Sequence, residues 1–302
     1  MINRSDLWKD KNFQKESDAF NINLSNWRNE GRIASMLCVR NPDKENNGRR
    51  FLLTLLMNLL YLSKPTDKDF YHKITNRNFG NPYVVKHFGT EIDYDYYYAV
   101  QEYKTLKAHV SLEKKTVLEI GAGYGRFCHS ILSLESIEKY IIVDLPETLH
   151  ISKIYLKAVL SEELFRKITF VDALNEFSFF SEDVDIVINV ASLNEMLAET
   201  ANSYLKWIDK HSKYFYGINP VGKYHPSDIY QNKNCFEEFN VKNAVNVGLI
   251  QDVHDLWDYE TIKKLVPNYI NVYRPSDKWE AIHHEPSLPF LSLRRVIYKN
   301  RK

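Results

Sequence analysis

Cysteine is scarce in this 302-residue chain, and Cys38, Cys128 and Cys235 are too widely separated to form a CxxC or Cys/His metal pattern. They read as reduced thiols and point to a cytoplasmic protein. A charge excess of one sign is also missing: 40 basic and 39 acidic side chains leave a formal net charge of +1. That balance argues against a dedicated DNA or RNA binder, which carries a basic face or tail. Long apolar runs are lacking as well. Phe51 to Leu62 covers about twelve residues and is broken by Thr54 and Asn58, whereas a membrane span needs about twenty. No span is therefore expected, and Met1 to Asp6 lacks the apolar core of a signal peptide. No internal repeat or low-complexity segment is found. With 44% hydrophobic residues the chain can still bury a sizeable core.

What the chain does have is centred on Lys115-Thr116-Val117-Leu118-Glu119-Ile120-Gly121-Ala122-Gly123-Tyr124-Gly125-Arg126-Phe127. A short Val/Leu/Ile run closed by an acid and alternating glycines predicts a buried strand turning sharply into a helix. Side chains there would keep a ligand off the backbone, and the start of the next helix presents N–H groups to whatever binds. A dinucleotide fingerprint would put its last glycine at position 126, which is arginine here. Three further strands follow. Lys139 to Asp144 ends in an acid of the kind that accepts hydrogen bonds from ribose hydroxyls in doubly wound sheets. Ile168 to Asp172 also ends in an acid, and Val184 to Val190 leads into Ala191-Ser192-Leu193-Asn194-Glu195-Met196.

The pattern Glu-x-Gly-x-Gly-x-Gly resembles motif I of the class I S-adenosylmethionine-dependent methyltransferases. Three further stretches narrow it: Asn189 to Met196, Asp144-Leu145-Pro146 and Phe215-Tyr216-Gly217-Ile218-Asn219. Together they are similar to the sugar O-methyltransferases of bacterial surface polysaccharide synthesis, over roughly residues 75 to 300. The resemblance implies a Rossmann-like α/β fold, with a seven-stranded, mostly parallel sheet and helices on both faces. It also implies S-adenosylmethionine as cofactor. Glu119 and the backbone of Gly121, Ala122, Gly123, Tyr124 and Gly125 would surround its methionine end. Asp144 and Leu145 would meet the ribose, and Asp172 and Ala173 the adenine, with Asn189 beside them. Tyr124 would cover the sulfonium, and Arg126 would either pair with the cofactor carboxylate or solvate a helix face.

Around that frame, residues 1 to about 45 are polar with scattered Trp8, Phe13, Phe20 and Trp27, read as short helices or an arm. Residues 41 to 48 read as a loop. A buried helix is expected over Arg49 to Leu62, and another over Tyr96 to His109 with Tyr97, Val100, Leu106 and Ala108 inward. The domain division expected is 1–112, a mainly helical substrate-covering extension, and 113–302, the cofactor domain. Glu199 to Tyr214 predicts a helix with Trp207 and Ile208 inward, and Tyr214 to Asn219 a strand stopped by Pro220. Tyr259 to Leu265 reads as a short helix before Pro267. Tyr269 to Tyr273 and Leu291 to Tyr298 read as the closing antiparallel pair.

Transfer of a sulfonium methyl requires an oxygen held in line and water kept out. A sugar hydroxyl also needs a base. Candidates are Glu195 beyond the fourth strand, His225 beyond the fifth, and His254 between Asp252 and Asp255, which would orient it or raise its pKa. Substrate contacts are assigned to Asn194, Asn219, Trp257, His283, His284 and Glu285. A magnesium site from Asp252, His254 and the His283-His284-Glu285 cluster has no ligand spacing behind it, so no metal is expected. The expected substrate is a nucleotide-activated sugar such as a GDP-linked heptose. The alternatives are another small molecule, a lipid-linked glycan or a protein as acceptor, or a non-catalytic cofactor-binding partner protein. Oligomeric state is open, a homodimer included.

Overall fold

The computed structural model describes residues 2–5, 25–30, 48–87, 89–225 and 246–301. The readings made for Trp8, Phe13 and Phe20, for Cys38 and Cys235, and for the loop at 41–48 lie outside these residues, except that Gly48, read as the end of that loop, is the first residue of a helix. In chain order the elements are α1 (Gly48–Tyr61), α2 (Pro65–Lys73), β1 (Val84–His87), β2 (Thr90–Asp93), α3 (Tyr94–His109), β3 (Thr116–Ile120), α4 (Arg126–Leu134), β4 (Lys139–Asp144) and α5 (Pro146–Val159). They continue with β5 (Ile168–Asp172), β6 (Val184–Val190), α6 (Ala198–His211), β7 (Ser212–Pro220), β8 (Lys223–Tyr224), β9 (Val253–His254), α7 (Tyr259–Val272), β10 (Trp279–Ser287) and β11 (Phe290–Asn300).

Seven strands form one sheet in the order β10-β11-β7-β6-β3-β4-β5. β3 runs parallel to β6 and β6 parallel to β7, while β11 lies antiparallel to β7 and to β10. Flanked by helices, this is the Rossmann-like arrangement expected for class I methyltransferases. Strand order reverses at β3: the chain steps outward through β4 and β5, then returns to the other side for β6. The central strands are mainly apolar. Val117, Leu118, Ile186, Val187, Ile188, Phe215, Tyr216 and Ile218 are all fully buried, as strands covered on both faces must be.

The chain divides into two compact units, one of residues 1–10, 116–121 and 171–302, the other of 11–115 and 122–170. The second unit is built round α3. Asp93 caps it, accepting from the Tyr96 N–H at 3.1 Å. Tyr94, Tyr96, Tyr97, Tyr98, Val100, Glu102, Tyr103 and Leu106 are buried, so the helix is enclosed on most of its circumference. Ala108, expected inward, is exposed, because the last turn of α3 leaves the core. Three further buried polar groups hold this unit together. Arg28 donates to Asp93 Oδ1 at 2.5 Å, to Asp95 Oδ2 at 3.0 Å and to the Arg77 carbonyl at 2.6 Å. Tyr71 donates to the second oxygen of Asp93 at 2.9 Å. His129 Nδ1 meets the Tyr96 hydroxyl at 2.5 Å, and burial pushes its pKa down to about 3, so the ring stays neutral.

In the first unit two expectations are corrected. Tyr269 to Tyr273 is the last turn of α7, and the strand that pairs with β11 is β10, Trp279–Ser287. Tyr269, Ile270, Val272 and Tyr273 are residue types common in strands. Yet the buried positions Ile262, Val266, Tyr269 and Tyr273 fall at helical spacing. Pro267 sits inside this helix on its exposed side, where the lost hydrogen bond to Lys263 falls in solvent. The second correction is that α6 ends at His211 and β7 already begins at Ser212, because Tyr214-Phe215-Tyr216 favours a strand over a helix end. Ile208 is buried as expected, while Trp207 is half-buried and donates its indole N–H to the Phe180 carbonyl at 2.9 Å.

Candidate functional site

The glycine hairpin begins where β3 stops. In the second unit, Gly123 has φ +58° and Gly125 φ +93°, conformations that side-chain-bearing residues avoid. A Cβ on Gly125 would lie 2.8 Å from Leu156 Cδ1, so this glycine serves packing against α5. A Cβ on Gly123 would meet nothing within 4 Å. The backbone at Gly123 is thus bare and open, the geometry a bound ligand needs.

Asp144, at the end of β4, faces that backbone. Its Oδ2 accepts from the Gly123 N–H at 3.0 Å and its Oδ1 from the Leu145 N–H at 2.8 Å. Burial pushes the carboxyl up from 3.8 to about 7, against the opposing pull of these N–H donors and of the Thr148 side chain. Tyr124 is buried, its ring edge-on to Trp27 at 4.8 Å and to Tyr155 at 4.9 Å. Arg126 is buried too. Its Nη1 lies 3.0 Å from Glu102 Oε2 and donates to the Asp95 carbonyl at 3.0 Å, tying α4 to α3. Position 126 carries an arginine because Glu102, on α3, must be neutralised in the interior.

In the first unit, a chain of buried amides ties together the carboxyl ends of β3, β6 and β7. Asn189 Nδ2 donates to the Ile120 carbonyl at 3.0 Å, and Asn219 Nδ2 to Asn189 Oδ1 at 3.1 Å. Asn219 Oδ1 accepts from the Asn194 N–H at 3.3 Å. Ser192 also bonds the Ile120 carbonyl, at 2.9 Å, and its side chain occupies the space a Cβ on Gly121 would need. The Tyr269 hydroxyl closes the network, accepting from the Asn219 N–H at 3.1 Å and donating to the Arg294 carbonyl at 2.9 Å. Tyr269→Phe leaves both partners buried without a mate. It is expected to destabilise the protein by about 1–3 kcal/mol, read as a lowered urea midpoint.

The remaining sequence-assigned residues of this unit scatter more widely. Glu119 is buried within β3, and Ala173 is buried after β5. Both oxygens of Asp172 serve its own turn, accepting from the Leu174 N–H at 2.8 Å, the Asn175 N–H at 3.2 Å and Asn175 Nδ2 at 2.9 Å. Asn194 and Glu195 form a short 3-10 turn after β6, which follows a left-handed Ala191 with φ +52°. His225 is exposed. His254 lies in β9, paired with Tyr224 of β8, while Asp255 accepts from the Trp257 N–H at 3.0 Å. Trp257 is exposed, with its ring 5.2 Å from that of Tyr224. His283, His284 and Glu285 are on the edge strand β10 rather than in a loop. Arg294 donates to His284 Nδ1 at 2.5 Å, and Arg295 pairs with Glu285 at 3.2 Å. Among the described residues no group of three or more His, Cys, Asp or Glu is gathered as a metal site would require.

Lys223, within a stretch read from sequence as loop-rich (221–256), was given no role there. It is half-buried in β8, donates its Nζ to the Asn194 carbonyl at 3.0 Å, and burial pushes it down to about 8, with Glu195 partly opposing. Burial of a lysine after the fifth strand has no signature in composition or spacing.

No protein-family model matches the sequence, and no curated protein does. Among solved structures, a candidate RNA methyltransferase from Pyrococcus horikoshii is 12% identical with a TM-score of 0.45, covering 79% of this chain and 99% of its own. A candidate O-methyltransferase from Nostoc punctiforme is 13% identical with a TM-score of 0.44, over 67% of this chain and 56% of its own. The O-methyltransferase NcsB1 of neocarzinostatin biosynthesis, solved with S-adenosylmethionine and a naphthoic acid, is 11% identical with a TM-score of 0.41. That match covers 68% of this chain and 55% of NcsB1.

Proposed function

We propose that the chain is an S-adenosylmethionine-dependent O-methyltransferase acting on a sugar hydroxyl, with a nucleotide-activated sugar for surface polysaccharide as the preferred acceptor. The observation that carries the reading is the clasp between Gly123 and Asp144: an open glycine backbone bonded to a strand-end carboxylate. A nucleoside fits there because the carboxylate offers acceptors to paired hydroxyls and the hairpin offers main-chain N–H groups. The residues present fit the cofactor at Gly123 and Asp144; Glu119, Gly121, Ala122, Leu145 and Ala173 are assigned to it by the resemblance alone, while both Asp172 oxygens serve their own turn and the Asn189 amide bonds the Ile120 carbonyl. Arg126 is assigned to Glu102 instead of the cofactor carboxylate, since its guanidinium is already paired in the interior. Tyr124 packs its ring against those of Trp27 and Tyr155.

When bound, the cofactor supplies a methyl already activated by positive sulfur. The chain's own residues orient the acceptor oxygen, exclude water and accept its proton. A sugar acceptor is favoured by the neutral polar and aromatic side chains beyond the sheet's carboxyl edge, among them Asn194, Tyr224 and Trp257. The test is methyl transfer from methyl-labelled S-adenosylmethionine to a panel of nucleotide-linked sugars, GDP-heptose included, beside calorimetric titration of the cofactor. Transfer to a sugar supports the reading. Cofactor binding with no transfer to any sugar removes the substrate, and absence of binding removes the function.

A further inference from the structure

Within the first unit, one half-buried guanidinium has no acid to balance it. Arg294 stands near the start of β11, in register with Asn219 of β7 on one side and Pro286 of β10 on the other. That is the carboxyl end of β7, the edge at which sheets of this kind take ligands. Its Nη2 donates to His284 Nδ1 at 2.5 Å, an uncharged acceptor. Its Nε–H is buried and has no hydrogen-bond partner, and Nη1 has none either among the described residues. No described carboxylate pairs with it. Glu285, on the adjacent strand, is held by two other cations: its Oε1 lies 3.2 Å from Arg295 Nη1 and its Oε2 3.7 Å from His283 Nε2. Successive side chains of a strand point to opposite faces, so Arg295 and its acid do not serve Arg294.

His284 adds a donor. Because its Nδ1 accepts from Arg294, the uncharged ring carries its proton on Nε2. Burial, the Arg294 charge and His283 push its pKa below the ordinary histidine value, which keeps the ring neutral near pH 7. The pair therefore offers one full positive charge and several N–H groups, and no free acceptor. A neutral hydroxyl would leave that charge unmatched. An anion with several oxygens would match it, since the guanidinium fork meets phosphate oxygens in pairs. A buried cationic donor without an acceptor is costly, and such a ligand removes the cost.

We propose that Arg294 and His284 bind the diphosphate of the acceptor; this rests on the function proposed above, in which the acceptor is a nucleotide-activated sugar. Phosphate oxygens accept from the Arg294 guanidinium and from His284 Nε2–H. No bond is made or broken there: the pair neutralises charge and fixes the acceptor by its diphosphate. Glu285, assigned from sequence to the substrate, is here the partner of Arg295 and His283.

Calorimetric titration of inorganic pyrophosphate into the full chain reads this site without cofactor or methyl transfer. Wild type should bind one pyrophosphate per chain, and Arg294→Gln at least about tenfold more weakly. Arg294→Lys should recover only part of the loss, because an ammonium lacks the fork. No binding to wild type, or equal affinity in Arg294→Gln, would overturn the proposal. Should Arg294→Gln fail to keep the wild-type circular dichroism, phenylglyoxal labelling of wild-type Arg294, read by peptide mass spectrometry, decides instead. Pyrophosphate should slow that labelling in step with its occupancy, and an unchanged rate would overturn the proposal. Guanosine diphosphate and a prenyl diphosphate in detergent micelles separate a soluble from a lipid-linked source: the one whose binding Arg294→Gln weakens is the source. If pyrophosphate binds at Arg294 while no nucleotide-linked sugar is methylated, the acceptor reading falls and the anion site stands.

Discussion

Asp144→Asn is expected to weaken S-adenosylmethionine binding by about 1–3 kcal/mol, which is a factor of about 5–150 in Kd. The carboxylate is the strand-end group that bonds the open hairpin, through Gly123 at 3.0 Å, and in the proposed complex it also receives ribose hydroxyls. An amide keeps the shape but exchanges one acceptor for a donor, so a hydroxyl is left facing an N–H. The same residue predicts a pH dependence of opposite sense in the free and bound states. Its folded-state pKa is raised, from 3.8 to about 7. The stability it contributes is therefore fully present below about 4 and lost as pH rises through 7. Thermal midpoints of the free wild-type protein should fall between pH 5 and 8 relative to Asp144→Asn, by the equivalent of about 1–2 kcal/mol. That figure is discounted for the solvent the half-buried side chain still meets. Cofactor affinity should run the other way, rising as the carboxyl ionises above pH 7. Parallel pH profiles for the two proteins would contradict the assignment.

Arg28→Met carries the largest expected stability loss. The guanidinium is buried and joins Asp93, Asp95 and the Arg77 carbonyl. Asp93 in turn caps α3 and accepts from Tyr71. Methionine fills much of the volume, so the loss is electrostatic: Asp93 stays in the interior without its cation. Breaking such a pair from one side costs about 3–5 kcal/mol, and a thermal midpoint lowered by roughly 10 °C is expected. Arg28→Met combined with Asp93→Asn should recover part of that loss, because no uncompensated charge then remains. A single variant within 1 °C of wild type would mean that solvent reaches Asp93 and that this network does not hold the unit together.

The strands that carry the hairpin and the acids were legible because a buried strand in a doubly wound sheet is a short apolar run ending in a polar residue. Asp144 and Asp172 end such runs, and Asn189 stands one residue before the end of its strand. The closing hairpin was misplaced by one element, since Ile270 and Val272 have strand-like chemistry and Pro267 looked like a stop. Only the pairing of Tyr269 with Asn219 and Arg294, across long stretches of chain, reveals the helix as the support of the sheet edge. Arg126 shows a different limit. Its position in the motif was visible, but its partner Glu102 is a buried acid on α3 that local spacing cannot connect to it. Asn189 and Asn219 were read as ligand contacts because polar residues stand at strand ends. The Asn219 amide donates to the Asn189 side-chain oxygen, and the Asn189 amide to the Ile120 carbonyl. The burial of Lys223 was not legible for the converse reason: a lysine in a loop-rich stretch after a strand reads as surface.

The central claim is that a sulfonium nucleoside lies on the bare backbone of Gly123, and calorimetric titration of S-adenosylhomocysteine into wild type and Gly123→Ala at pH 8 addresses it most directly. The added methyl group meets nothing within 4 Å, but alanine at φ +58° costs about 1–2 kcal/mol, so Gly123→Ala should keep the wild-type circular dichroism at a somewhat lower thermal midpoint. Wild type should bind one S-adenosylhomocysteine per chain, and Gly123→Ala at least about tenfold more weakly. Equal affinities in the two folded proteins would place the ligand elsewhere and contradict the account.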